Sequence, residues 1–289
     1  MLERTWQFGG KKLFRAEKLY TAKNYQSFIE TFRKNFPDYL YLCPFRNKEL
    51  ISAPIRRIAE VFVPRDCLQT ILALPSPDSM QALAVELITM LSKESGVRLS
   101  HFGMHGSIAL NMHSEESDID FVVYGTGNFR VVEETIERLV NAGTMRYIFG
   151  NKLDRARKFK GKYKDKIWMF TAGKLPEEVY EKYGEYRFIP TTPVKFQCVI
   201  SDDTEAIYRP AIYRLKDYEP ADEKSQLPLD QVPGCILSNI GCYRNVARTG
   251  DKVKVSGMLE KVESVKTGEA TYQVVVGTAT SEEEQIWPL

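Results

Sequence analysis

One stretch limits the architecture more than any other: "FGMHGSIALNMHSEESDIDFVVYG", residues 102–125. It starts with a short apolar run, breaks at Gly106-Ser107, and ends where Ile119, Phe121 and Val123 alternate with Asp118 and Asp120. Alternation of period two marks a strand with one buried face. Side chains at i and i+2 of a strand point the same way, so both carboxylates project from one side and the apolar residues from the other. Neighbouring carboxylates repel unless a cation lies between them. A divalent ion meets that need, and Mg2+ prefers hard oxygen ligands. Gly106 after one strand and Ser107 at the start of a short helix form a turn whose unpaired amides and hydroxyl suit a phosphate.

The flanking sequence predicts a sheet with helices packed on it. "SPDSMQALAVELITMLSKESG" opens on a helix-capping residue, keeps apolar residues three and four apart, and stops at Gly96. "VRLSHFGM" reads as a short strand, "SIALNMH" as two helical turns, and "NFRVVEETIERLVNAG" as a helix with Asn at its cap and Gly at its end. "KIWMFTAG" and "PVKFQCVIS" read as further strands. The expected fold class is α/β (α+β), a mixed sheet with helices, over residues 71–217. Residues 1–70 read as an N-terminal extension. Within it "NYQSFIETFRKNF" is helical, with Phe28, Phe32 and Phe36 four apart, and "RRIAEVFVP" is strand-like. "EPADEKSQLPLDQVPG" looks like a linker. Residues 228–289 then read as a small β-rich unit, with "GDKVKVSGMLEKVESV" and "ATYQVVVGTAT" on either side of the turn "KTGE". A partial barrel of the oligonucleotide-binding kind is one form this unit could take.

Composition narrows the class. At 289 residues, 43% apolar and 27% charged, the chain can bury real cores. No run approaches the ~18 apolar residues that span a bilayer, so no membrane association is expected. The first fifteen residues carry charges from residue 3 on, which points to the cytoplasm. Cys43, Cys67, Cys198, Cys235 and Cys242 are scattered and odd in number, against a disulfide framework or a cysteine-ligated zinc. A net charge of +2 means that attraction for a polyanion must come from local clusters.

Gly-Ser, ten residues, then Asp-apolar-Asp resembles the signature of the DNA polymerase β-type nucleotidyltransferase superfamily; here it runs "HGS…SDIDFVV". More narrowly, "FGMHGSIAL", "SDIDFVVYG" and "VISDDTEAIYRPAIYRL" resemble an archaeal group of uncharacterised predicted nucleotidyltransferases, in which a β-rich tail follows the catalytic domain. The resemblance implies a nucleotidyltransferase-type sheet. Asp118 and Asp120 would be catalytic and bind Mg2+ (or Mn2+), while Gly106, Ser107 and Ser117 would contact the nucleotide. The reaction would move a nucleoside monophosphate from a nucleoside triphosphate to an acceptor hydroxyl that the sequence does not identify, releasing pyrophosphate. RNA 3′ ends, proteins and small molecules are all open as the acceptor, RNA or a protein being the partners considered. The alternative is a nucleotide- or RNA-binding protein that keeps the same fold with weak or no turnover.

That alternative has a specific source. The superfamily usually adds a third carboxylate from a nearby strand. "VKFQCVI" offers Gln197 and "KIWMFTA" offers no acid, which leaves Asp165, Asp202 and Asp203 as candidates. His101, His105 and His113 lie near the carboxylates, where a transition-metal site is a lesser alternative. The segment 151–166, "NKLDRARKFKGKYKDK", sets eight Lys or Arg against two Asp, with Phe159 and Tyr163 interleaved and Trp168 following. Cations for phosphate and rings for base stacking make Lys158, Lys160 and Lys162 contacts to test.

Overall fold

The computed structural model describes residues 5–14, 22–278, 281 and 283–289, without the side chains of residues 22–24. The chain forms a mixed α+β structure in two compact units, each built from two stretches of sequence. The first takes residues 1–16 and 60–179, and the second takes 17–59 and 180–289.

The elements run as follows. A hairpin of β1 (Thr5–Phe8) and β2 (Lys11–Phe14) comes first. Helix α1 (Ala22–Asn35) precedes a second hairpin, β3 (Leu40–Cys43) and β4 (Lys48–Ile51). Then come α2 (Pro64–Leu72), α3 (Ser79–Ser95), β5 (Phe102–Met104), α4 (Gly106–Ala109), β6 (Ile119–Tyr124) and α5 (Thr126–Asn141). They are followed by β7 (Met145–Tyr147), α6 (Lys152–Arg157), β8 (Lys160–Tyr163) and β9 (Lys166–Gly173). The remaining strands are β10 (Tyr186–Asp202), β11 (Ala211–Pro220), β12 (Cys235–Ser238), β13 (Lys252–Ser264), β14 (Ala270–Val276) and β15 (Gln285–Pro288).

In the first unit five strands pair in the order β5-β6-β9-β8-β7, with β6 and β9 parallel and the other pairs antiparallel. One face of this sheet carries Ile119, Phe121, Trp168 and Phe170, all fully buried, and Phe159 joins them from the segment just before β8. Helices α3 and α5 close that side. The ring of Phe129 on α5 stacks on Phe170 (4.8 Å), and the Tyr163 hydroxyl donates to Glu86 on α3 (2.7 Å). Gly161 has no side chain because the Trp168 ring occupies that space; a Cβ there would stand 2.3 Å from the indole. Helix α3 starts as the sequence predicts. The Asp78 carboxylate accepts from the Met80 and Gln81 amides while Gln81 accepts from the Asp78 amide, and Gly96 ends the helix with φ 72°.

Other expectations shift by a few residues for identifiable reasons. The helix read in "SIALNMH" is a single turn, since Asn111 turns into a positive φ of 50°. The α5 cap is Gly125; Asn128 lies inside the helix and its amide donates to the Tyr124 carbonyl (2.8 Å). The strand read in "RRIAEVFVP" does not form. Ile55–Arg57 is a 3-10 turn, Val61 is 71% exposed, and Pro64 starts α2.

The second unit is a barrel. Strands pair in the order β10-β11-β12-β14-β13, and β13 returns to β10, so five strands close on themselves; β15 adds to β13. β12 and β14 run parallel and the other pairs are antiparallel. Val194, Phe196, Cys198, Ile200, Tyr213 and Val255 fill the inside. The compact units therefore divide the chain elsewhere than the composition does. "PVKFQCVIS" lies within β10, a barrel strand, so the boundary falls near 179–180 instead of 217, and the β-rich unit begins well before 228. The acidic, proline-containing stretch after β11 is a loop of this barrel, held where the Tyr218 hydroxyl donates to the Ser225 carbonyl (2.7 Å) and the Ala221 amide to the Lys195 carbonyl (2.8 Å). The first 70 residues are not one extension either. β1 and β2 group with the first unit, whereas the β3–β4 hairpin docks on the barrel through Lys48 to the Thr278 carbonyl (2.8 Å) and the Phe188 amide to the Phe45 carbonyl (2.8 Å).

Candidate functional site

The site is built where β5 turns back beside β6. The His105 amide donates to the Asp120 carbonyl (3.0 Å), continuing the antiparallel ladder one step beyond Met104 and Phe121. Gly106 then leaves the strand with φ +70°, a conformation that L side chains rarely adopt. Its Cα faces the carboxylate of Asp120, and a Cβ at this position would stand 2.4 Å from Oδ2 and 3.0 Å from the Asp120 Cβ. Only glycine lets the turn lie against that acid. Ser107 follows in α4, and its carbonyl accepts from the Met112 amide (2.8 Å), which closes the turn.

The connection from α4 to β6 is tied down along its length. The buried ring of His113 meets Asp78 at the start of α3 (Nε2 to Oδ2 2.8 Å). Burial pushes the Asp78 carboxyl up, but the Gln81 amide, His113 and the Met80 amide outweigh it and hold the group below the usual carboxylate range. Ser117 is buried, its amide donates to the Ser114 carbonyl (3.0 Å), and its hydroxyl accepts from the Ser114 amide (3.0 Å). That hydroxyl organises the loop that delivers Asp118 to the strand. The Lys166 ammonium donates to the Glu115 carbonyl on the same loop. A cavity of about 610 Å³ lies between this loop and β1, lined by Trp6, Gln7, Asn111, His113, Glu116 and Ser117.

Asp118 stands just before β6 and Asp120 is its second residue; both are half-buried, between the buried Ser117, Ile119 and Phe121. The alternation puts the two acids on the sheet face opposite α3 and α5. At the β5 edge α2 covers this face, because Gly103 admits the Pro64 backbone to where a Cβ would be 2.7 Å from its carbonyl carbon. Further across, the same face carries half-exposed residues of β9 and β8. Asp120 is paired with Met169, and Met169 with Lys160. One row towards the start of β9, Ile167 stands opposite Lys162 and Lys162 opposite Arg146 on β7. Asp118 lies just before the first paired residue of β6, on the same side as Asp120 by alternation. Both rows end on a cation, and the first begins on the Asp120 carboxylate. His105 also reaches this face, with Nε2 3.4 Å from the Thr171 hydroxyl on β9.

The third carboxylate is not on the neighbouring strand. β9 presents Ile167, Met169 and Thr171 to this face, and no group of three His, Cys, Asp or Glu fit to hold a metal occurs among the described residues. Asp165 lies on the exposed β8–β9 turn. Gln197, Asp202 and Asp203 belong to the other unit. Gln197 is exposed on β10, Asp202 accepts from the Thr204 amide (2.8 Å), and Asp203 accepts from the Thr249 hydroxyl (2.8 Å). The last two build the turn after β10.

The rings of the basic segment do not serve base stacking. Phe159, Tyr163 and Trp168 are buried in the core under α3 and α5, and burial with the Glu86 contact pushes the Tyr163 hydroxyl up to about 12. Its cations divide in two. Lys158 pairs with Glu137 (2.6 Å) and Lys164 with Glu86 (2.7 Å), both towards the helices. Lys160 and Lys162 lie on the carboxylate face instead. Arg146 is the residue that motif reading misses, because only the β7–β8 register brings it into line with Lys162.

The chain is 23% identical over 212 residues to an uncharacterised protein of Methanocaldococcus jannaschii, a match covering 66% of this chain. It spans 59% of that relative's length. No family model matches the chain, and no solved structure matches it.

Proposed function

We propose that the first unit is a metal-dependent nucleotidyltransferase. It moves a nucleoside monophosphate from a nucleoside triphosphate to an acceptor hydroxyl. A bond forms between the acceptor oxygen and the α-phosphorus, the bond from that phosphorus to the bridging oxygen breaks, and pyrophosphate leaves. The observation that carries this reading is the fit of Gly106 against Asp120, where a Cβ would stand 2.4 Å from the carboxylate. It sets a turn suited to phosphate directly against an acid suited to a divalent ion. The donors fit Mg2+ or Mn2+, which keep water ligands and are held by one or two carboxylates together with substrate phosphates. Asp118 and Asp120 would hold that ion, which when bound neutralises charge on the reacting phosphate. Gly106 and Ser107 orient the triphosphate tail by backbone amide and hydroxyl. The acceptor proton passes to solvent, since β9 offers Met169 and Thr171 where an acid would be needed.

Asp118→Asn and Asp120→Asn, each checked for an unchanged circular dichroism spectrum, are expected to abolish pyrophosphate release; unchanged release in both would refute the assignment. The absence of an acid on β9 favours a second reading, a nucleotide- or RNA-binding protein of the same fold with weak or no turnover. Calorimetry with nucleoside triphosphates separates the two, because binding without any release of labelled pyrophosphate supports the second. No helix among the described residues is long and apolar enough to cross a membrane.

A further inference from the structure

We infer that the acceptor is the terminal hydroxyl of a single-stranded nucleic acid, whose backbone lies over β8 and β7 on Lys160, Lys162 and Arg146. This rests on the nucleotidyltransferase reading for the direction of approach and on the sheet register for the surface. With the triphosphate tail on Gly106-Ser107, the leaving pyrophosphate departs on the β5 side of β6. Attacking and leaving oxygens stand roughly in line on opposite sides of the phosphorus. The acceptor therefore arrives from the other side of β6, across β9 towards β8 and β7.

What it meets there is cationic. Strands lie about 4.8 Å apart, so β8 stands ~10 Å from β6 and β7 ~15 Å. Lys160 closes the row that starts at Asp120, while Lys162 and Arg146 follow Ile167 in the next row, on the Asp118 side. Residues two apart in a strand are separated by ~7 Å, which sets the two lysine stems apart along β8. Such an array runs away from the carboxylates and does not converge on a point. It suits successive phosphates of an extended strand better than the single phosphate of a small metabolite. The contrast within the segment strengthens the case. Lys158 and Lys164, which turn towards the helices, are neutralised by Glu137 and Glu86. Among the described residues no acid pairs with Lys160, Lys162 or Arg146. Ile167 and Met169 lie between the acids and the lysines, leaving an apolar strip over which the terminal sugar and base can rest.

The test uses the full chain and fluorescein-labelled 12-mer oligoribonucleotide and oligodeoxyribonucleotide, titrated by anisotropy at several salt concentrations. Removing two phosphate contacts in Lys160→Ala/Lys162→Ala is expected to weaken binding on the order of tenfold and to lower the slope of log K against log salt by about 1.4. Arg146→Ala is expected to lower it by about 0.7. Lys158→Ala and Lys164→Ala, from the same segment but off the face, are expected to bind as the wild type does. Preference for the ribo- over the deoxy-oligomer assigns RNA, and the reverse assigns DNA. Wild-type protein that binds neither oligomer, binding that ignores the three cations, or equal affinity for poly-glutamate overturns the inference. Magnesium-dependent pyrophosphate release is read on the same samples. Its absence removes the transferase reading while cation-dependent strand binding keeps the surface; release with cation-independent strand binding does the opposite.

Discussion

At the residue scale, Gly106 holds two demands at once. Its φ of +70° costs a side-chain-bearing residue roughly 1–3 kcal/mol. The space a Cβ would need is already filled by the Asp120 carboxylate. Gly106→Ala is expected to lower stability by about that amount, read by urea titration, and to abolish triphosphate binding, because the acid must move away from the turn. A variant that loses stability but binds triphosphate normally would show that the contact is packing alone. Both partners were legible in the sequence: the glycine as a turn after a strand, the acids as a period-two pair. Ser117 was legible only as a neighbour of the acids. The same small hydroxyl serves a phosphate or a local turn, and here it closes the turn with Ser114.

At the element scale, the strongly patterned pieces are the ones the sequence states plainly. Helix α3 has its capping residue, its periodic apolar stripe and its terminal glycine in order, and forms between those signals. Asp78 is its cap, with a carboxyl held below the usual range despite the upward push of burial, by the Gln81 amide, His113 and the Met80 amide. A group lowered in the folded state contributes stability that is fully present above the unfolded value near 3.9 and lost as pH falls through the folded one. Asp78→Ala is expected to cost about 1 kcal/mol at pH 7. The gap between wild type and variant should narrow in thermal melts as the pH drops below about 4, and a gap constant from pH 7 to 3 would mean that the carboxylate charge contributes nothing. Strand-like segments carry a weaker local signal. "RRIAEVFVP" has β-branched and aromatic residues but no partner strand among the described residues, so between the 3-10 turn and Pro64 it forms no strand. Sequence alone sets the rings beside the lysines of 151–166 in a pattern that suits stacking. Alternation along β8 and β9 sends Tyr163 and Trp168 to the core side and Lys160, Lys162 and Met169 to the other, which is visible only once the strands are paired.

At the scale of the whole molecule, sequence proximity misleads most. Composition places a break after residue 217, whereas β10 and β11 close a barrel with β12, β13 and β14. Such long-range closure leaves no local signal, because β10 has the same alternating pattern whichever sheet receives it. Separately expressed fragments 71–217 and 218–289 are therefore expected to lack ordered barrel structure, since the cut divides its five strands. Dispersed amide resonances from residues 228–289 in the isolated second fragment would contradict that division. The turn, the acids and the cations of the candidate site, in contrast, all come from one continuous run of the first unit, from His105 to Thr171, so the local patterns that carry them stand within one stretch of sequence.

The most direct measurement is calorimetric titration of a nucleoside triphosphate onto the full chain, with and without Mg2+, for the wild type and Asp120→Asn. Binding that requires the ion and disappears in the variant is the expected result. Equal binding with and without Mg2+, or in both proteins, would mean that the acid beside Gly106 holds no cation for a phosphate to meet.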